Sequence, residues 1–238
     1  MMTMKNKKDT KGFTLIEVLF AIFVGFVLMM AVLTAMNAGQ RSSSAMERKV
    51  AAQQDVRAAL EMMALEIGMV SYNPTFNPNL WRRASVPPVE ADFDNPGNQA
   101  YKGIQEATAN SISVQMDIGE NGSIGTPDHN EIIRYEYDLA NQYVTRETDC
   151  GGGQPFLGAD PAKPDQPRAV RVINHTLNDK AGLPVFRYFD GKNPAVELHP
   201  DTNPDDIRNI RRIDITLAVE NPGNGSFAPP LGTRCNLE

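Results

Sequence analysis

Few residues in this chain have the types and the spacing that enzymatic chemistry requires. Its three histidines, His129, His175 and His199, lie far apart, and none has a partner at the spacing of a metal site. The sequence contains neither a GxSxG nucleophile motif, nor an HExxH zinc motif, nor a phosphate-binding P-loop. We therefore predict that the chain is not an enzyme and needs no cofactor of its own.

One polar loop, residues 117–128, partly resembles a calcium-binding loop. Asp117 stands at its first position, Asn121 at its fifth and Asp128 at its twelfth. Gly119 occupies the third position and supplies no side chain, and an aspartate replaces the usual glutamate at the twelfth. A loop that only joins two strands is the favoured interpretation, and calcium binding is the alternative.

The chain has two cysteines, Cys150 and Cys235, which are too few for a disulfide scaffold. In an oxidising compartment a single bridge between them is favoured over two free thiols. Such a bridge would tie the C-terminal segment to the middle of the soluble part.

A carboxylate near the start of a long apolar run is the most informative feature of the sequence. The segment KGFTLIEVL places Gly12 directly before this run, which begins at Phe13, and it places Glu17 inside the run. No residue between Val18 and Ala38 is charged, and about 20 apolar residues suffice for a membrane-spanning helix. Because a carboxylate in such a helix is costly and is usually paired or functional, Glu17 needs an explanation.

The lysines before the apolar run predict its orientation. Four of them precede Gly12, and the positive-inside rule then places the N-terminus in the cytoplasm and the bulk of the chain outside it. A cleavable secretory signal and an uncleaved signal anchor are alternatives. Neither of them explains Glu17.

The segment KGFTLIEVL closely resembles the prepilin signature of type IV pilins and of type II secretion pseudopilins. The resemblance implies that a prepilin peptidase cuts between Gly12 and Phe13 and then methylates the new amine of Phe13. The methyl donor, S-adenosylmethionine, belongs to the peptidase. It also implies that Glu17, the fifth residue of the mature chain, pairs with the N-terminal amine of a neighbouring subunit during assembly.

A second resemblance narrows the prediction. The run DVRAALEMMALEIGMV is similar to the R-x-A-L-x-x-L-x-x-D/E-I pattern of PilW-type minor pilins and GspJ-type minor pseudopilins. The matching positions are Arg57, Ala59, Leu60, Met63, Glu66 and Ile67. This resemblance implies a minor subunit that primes or caps a filament, and we favour the type IV pilus over the secretion pseudopilus.

The helical periodicity of the segment after the apolar run predicts which residues pack against a head. No proline occurs before Pro74, so one helix can run from about residue 13 to residue 70. Two helices hinged at GQRSSS are the alternative. The predicted apolar stripe consists of Met46, Val50, Val56, Leu60, Met63, Ile67 and Val70. The polar and charged residues between them, Glu66 included, are predicted to lie mostly on the other side.

The rest of the chain predicts a β-rich head. The segment SISVQMDI alternates apolar and polar residues, which places Ile112, Val114, Met116 and Ile118 on one face of a strand. A hairpin is predicted for EIIRYEYD and QYVTRE. Further strands are predicted for AVRVINHTL, LPVFRYF and RRIDITLAV. NPDDIRNI predicts a short helical turn. The fold class is therefore α+β and pilin-like, with a long N-terminal helix on a mainly antiparallel sheet. The predicted segments are a leader at 1–12, a transmembrane helix at 13–40, its amphipathic continuation at 41–70 and the head at 71–238.

These features predict a structural subunit of the inner membrane, with a periplasmic head, that later joins a pilus or pseudopilus. The predicted partners are the prepilin peptidase, other minor pilins and the major pilin. A tip adhesin or a DNA-uptake component is the rival interpretation. The net charge of −6 argues against nucleic acid as a partner, because phosphate binding needs a basic surface.

Overall fold

The computed structural model describes residues 12–83, 96–125, 130–149, 151–158, 170–176, 182–220 and 229–237. The chain divides into two compact units between Glu47 and Arg48. We call residues up to 47 the N-terminal unit and residues 48–238 the head unit.

A single α-helix, α1, spans Leu15–Gly68. This agrees with the predicted helix to within two residues at each end, and the hinged alternative is wrong because the helix continues through Gly39 and the three serines that follow. An 18-residue window near its start has a mean hydropathy of 2.7, so the helix is long and apolar enough to cross a membrane.

The head unit is built from short antiparallel strands. In the described residues these are β1 (Ile104–Ala107), β2 (Ser111–Gln115), β3 (Ile132–Asp138), β4 (Tyr143–Thr148), β5 (Gln154–Leu157), β6 (Arg171–Val172), β7 (Phe186–Phe189), β8 (Glu197–Leu198), β9 (Arg212–Leu217), β10 (Val219–Glu220) and β11 (Leu231–Asn236). The described residues also contain three short 3-10 helices: Gln99–Tyr101 precedes β1, Asn174–Thr176 follows β6 and Pro204–Asn209 follows β8.

These strands form three sheets. The largest is a meander in the order β1-β2-β3-β4-β5, a second has the order β11-β9-β7-β8, and β10 pairs with β6. All of the pairings are antiparallel. The fold class is α+β, as predicted.

The main core joins the C-terminal part of α1 to apolar residues of all three sheets. The helix buries Ala52, Val56, Ala59, Leu60, Met63, Glu66 and Ile67. The predicted stripe is therefore confirmed at Val56, Leu60, Met63 and Ile67, whereas burial of the helix in the head begins only at Ala52.

Two positions of the predicted stripe, and one residue predicted outside it, differ from the structure. Met46 and Val50 are 67% and 52% exposed, because they precede the part of the helix that packs on the sheets. Glu66 is buried rather than on the solvent side, because an arginine and a tyrosine of the sheet contact its carboxylate.

Most strand predictions are confirmed, with differences at the ends of elements. Ile112, Val114 and Met116 are buried, but Ile118 is exposed because β2 ends at Gln115 and the chain turns. The predicted strand AVRVINHTL shrinks to the two residues of β6, because the amide of Asn174 donates to the Leu183 and Thr216 carbonyls and holds a 3-10 turn. The predicted turn at NPDDIRNI is the 3-10 helix Pro204–Asn209.

Candidate processing and assembly site

The backbone around the predicted cleavage point is not helical. Gly12, Phe13 and Thr14 precede the first residue of α1, and Phe13 is 88% exposed. A Cβ built at Gly12 would meet nothing within 4 Å. The bond between Gly12 and Phe13 is therefore open to an enzyme, since no helical hydrogen bond has to be broken before the backbone enters an active site.

Thr14 and Glu17 close the N-terminus of α1 with a reciprocal pair of contacts. The Glu17 Oε2 atom accepts hydrogen bonds from the Thr14 backbone N–H at 2.8 Å and from the Thr14 hydroxyl at 2.9 Å. The Thr14 Oγ1 atom in turn accepts a long hydrogen bond, 3.4 Å, from the Glu17 backbone N–H. This is the geometry of a capping box, in which an N-cap residue and the residue three positions later satisfy each other's free donors.

The capping box explains how a carboxylate is accommodated in an apolar helix. Its negative charge lies in the first turn of α1, where the helix dipole favours an anion. The surrounding surface is apolar, since Phe13, Val18, Ala21 and Ile22 line the same groove. Only one carboxylate oxygen is used, because both hydrogen bonds reach Oε2 and no described residue donates to Oε1.

Thr14 is the residue of this site that the sequence-based prediction missed. The signal was present, because T-x-x-E directly before an apolar run is the capping-box pattern. The prepilin resemblance implies a partner for Glu17 in a neighbouring subunit, whereas the structure shows a partner within the chain.

The comparison with protein families points to the same residues. Residues 7–33 match the prokaryotic N-terminal methylation motif. This match supports a type IV pilin-like protein, that is, a pilin or pseudopilin subunit processed by prepilin peptidase and assembled with other pilins. It includes Gly12, Phe13 and Glu17 and leaves the head outside. No curated protein matches this chain, and no solved structure matches it.

The acidic loop of this pilin-like chain is organised by its own backbone. Asp117 is fully buried, and its carboxylate accepts hydrogen bonds from the backbone N–H groups of Asn121 at 3.2 Å and Gly122 at 3.0 Å. Asp128 lies outside the described residues. Among the residues that the structure describes, no group of three or more His, Cys, Asp or Glu side chains is placed to hold a metal ion. Calcium binding by this loop stays the alternative to the favoured strand-joining role.

Of the two cysteines, Cys235 lies in the part of the chain that the structure describes. Cys235 carries a buried thiol, 3.9 Å from the Ala64 carbonyl oxygen, and Cys150 lies outside the described residues, so the bridge between them stays a prediction. Burial and the nearby charge of Asp214 raise the pKa of the Cys235 thiol to about 11.

Of the two described histidines, His175 has a structural contact. Its Nδ1 atom lies 2.5 Å from the Tyr137 hydroxyl, which also donates to the Val172 carbonyl at 2.8 Å. The backbone N–H of His199 donates to Asp206. His129 lies outside the described residues.

Proposed function

We propose that this chain is a minor pilin that primes or caps type IV pilus assembly. The motif at residues 7–33 supports a pilin or pseudopilin subunit. The observation that carries the proposal is the exposed, non-helical Gly12–Phe13 segment directly before a capped apolar helix. Cleavage there exposes the Phe13 amine for methylation and leaves the helix attached to the head.

The minor-pilin part of the proposal is supported by the run from Arg57 to Ile67. Its apolar positions Ala59, Leu60, Met63 and Ile67 are buried against the sheets of the head unit, and Arg57 is exposed. The pattern shared with PilW-type and GspJ-type subunits therefore coincides with the helix surface that packs on the head.

Membrane insertion through α1 would keep the N-terminus in the cytoplasm and place the head in the periplasm, as the lysines before Gly12 favour. In the assembled filament Glu17 would pair with the methylated Phe13 amine of a neighbour. The capping box supports this role, because Glu17 Oε1 accepts no hydrogen bond from the described residues. A buried pair of this kind contributes more to specificity than to stability.

A deletion strain tests the proposal. Deleting the gene should sharply reduce surface pili and leave secreted proteins unchanged, and the wild-type gene supplied in trans should restore pili. Loss of secretion with normal piliation would instead assign the chain to a type II secretion pseudopilus. Normal pili with lost attachment would identify a tip adhesin, and a strain with both systems intact would contradict an assembly role.

A further inference from the structure

The part of α1 in the head unit buries one apolar face, and two large apolar side chains lie outside that face. Val56, Leu60 and Ile67 are buried, whereas Met62 and Leu65 are exposed. Successive residues on an α-helix are about 100° apart. Because the burial of apolar surface has no directional preference, a polar contact of fixed geometry adds discrimination between this register and one rotated by a single residue.

Glu66 supplies the directional contact that distinguishes the registers. It is the charged residue on the buried face of α1. Its carboxylate receives two hydrogen bonds from the Arg146 guanidinium, one from Nε at 3.0 Å and one from Nη2 at 2.7 Å. The hydroxyl of Tyr135 donates a third, short hydrogen bond to Oε2. A bidentate arginine–carboxylate pair has a fixed planar geometry, which adds specificity to its energy.

The two partners of Glu66 are held by the sheet. Tyr135 on β3 and Arg146 on β4 are directly opposite each other in the antiparallel pairing. Tyr135 is fully buried, and its ring contacts Phe156 of β5 edge-on, with 5.2 Å between the centroids. Burial and the hydrogen bond to Glu66 raise the pKa of Tyr135, so its hydroxyl remains a neutral donor.

From this geometry we infer that Glu66 is a positioning residue, which fixes the register of α1 on the head sheet and so determines which face of the helix is presented to partner subunits. In any shifted register the buried Tyr135 hydroxyl and the partly buried Arg146 guanidinium would lose their acceptor. An unpaired buried polar group is costly, whereas part of the apolar contact could be replaced by Met62 or Leu65. The face presented in the observed register is the one with Met62 and Leu65. That it meets other pilin subunits rests on the proposed function.

A cysteine already in the core makes the register measurable. Cys235 Sγ lies 3.9 Å from the Ala64 carbonyl oxygen, and Ala64 packs against the core cluster that contains Cys235. An Ala64→Cys substitution therefore reports the observed register. Leu65→Cys, one residue further and 64% exposed, reports a rotated one. Both are made in the full-length chain in membranes, with Cys150→Ser to remove the other thiol. Mild oxidation followed by mass mapping gives the yield of each disulfide with Cys235.

The test compares these yields in three backgrounds. In the parent chain and in the control Glu61→Leu, an exposed glutamate of the same helix, only the cysteine at position 64 should form the disulfide efficiently. In Glu66→Leu this preference should be lost, with comparable yields at both positions. If Glu66→Leu does not fold, the apolar combination Glu66→Leu/Tyr135→Phe/Arg146→Met replaces it, since an apolar substitute for a buried ion pair is often neutral for stability.

Two outcomes would overturn the inference. Retention of the exclusive crosslink at position 64 in the apolar combination would show that packing alone fixes the register. Normal incorporation of a register-shifted variant into pili, compared with Glu61→Leu, would show that the presented face does not matter for assembly. Failure of the proposed function is detected separately, because a deletion strain with intact pili and secretion leaves the crosslinking result unchanged.

Discussion

The two units of this chain use one helix in opposite ways. In the N-terminal unit every large apolar side chain of α1 from Leu15 to Met36 is exposed. In the head unit the same helix buries Val56, Leu60, Met63 and Ile67 among the strands. Two methionines show the contrast, because Met29 is 63% exposed and Met63 is fully buried.

This difference in the exposure of apolar side chains indicates which unit requires contacts with other molecules. A continuous apolar surface such as that of the N-terminal unit is unfavourable in water and marks a membrane or protein interface. The head unit already contains a core shared by α1 and three sheets. The N-terminal unit therefore specifies where the chain is anchored and how it is processed, and the head unit can fold through its own contacts.

The largest expected effect is at the cleavage point. Gly12→Leu should abolish removal of the leader. The substitution should leave the fold intact, because a Cβ at this position meets nothing within 4 Å. Intact-mass measurement of the membrane fraction checks this. Gly39→Leu is the matched control, since a Cβ there also meets nothing within 4 Å, and it should be processed normally. Efficient cleavage of Gly12→Leu would contradict the assignment of the cleavage site.

The two methionines test the contrast between the units directly. Met63→Ala should lower the free energy of unfolding of the head by about 2–5 kcal/mol, because it leaves a cavity in the core. Met29→Ala in the same helix should change it by less than about 0.5 kcal/mol, as expected for an exposed site. Denaturant unfolding of the full chain in detergent, followed through Trp81, gives both values. Equal effects would show that the two units unfold together.

The capping box separates two roles of Glu17. Glu17→Ala should still be cleaved and inserted but should be incorporated poorly into filaments, because it removes the partner of the neighbouring amine. Thr14→Val removes only the hydroxyl and should cost the helix about 1 kcal/mol, with a smaller loss of incorporation. Quantitative immunoblotting of sheared pili checks both. Equal losses would assign the defect to the cap, and normal incorporation of Glu17→Ala would remove the pairing proposal.

The smallest effect should appear at alkaline pH and only in the head unit. Burial raises the pKa of Cys235 to about 11 and that of Tyr137 to about 12, whereas the unfolded chain ionises such groups from about pH 8.5 to 10. The unfolded state therefore loses its protons first, and stability falls as pH rises from about 8.5 towards 12.

Thermal unfolding between pH 7 and pH 11 measures this loss, and Cys235→Ala combined with Tyr137→Phe should reduce it. The buried tyrosines Tyr135 and Tyr188, whose pKa values are also raised, account for the remainder. Residues 13–47 contain neither tyrosine nor cysteine, so the N-terminal unit should not contribute. An unchanged pH dependence in the double variant would show that the buried Cys235 and Tyr137 do not contribute to the loss of stability. A bridge between Cys150 and Cys235, detected by non-reducing mass mapping, would remove the cysteine contribution.

Local patterns made much of this structure predictable. The helix, the hairpin of β3 and β4 and the alternation of Ile213, Ile215 and Leu217 in β9 depend on periodicity that is visible in a short window. The predictions are wrong where an element ends, or where a polar group pairs with residues that are distant in the sequence. Ile118 is exposed because β2 ends before it, and Glu66 is buried because its partners lie 69 and 80 residues away in the sequence.

The sequence by itself determined the apolar helix and the position of the motif, because these depend on hydrophobicity and the order of neighbouring residues. Even the contact between Thr14 and Glu17 belongs to this class, since it spans three residues. Only the tertiary structure decided that Glu66 is buried and where it finds its partners. The physical reason is that these partners, Tyr135 and Arg146, lie on strands far away in the sequence, which the fold brings to the helix.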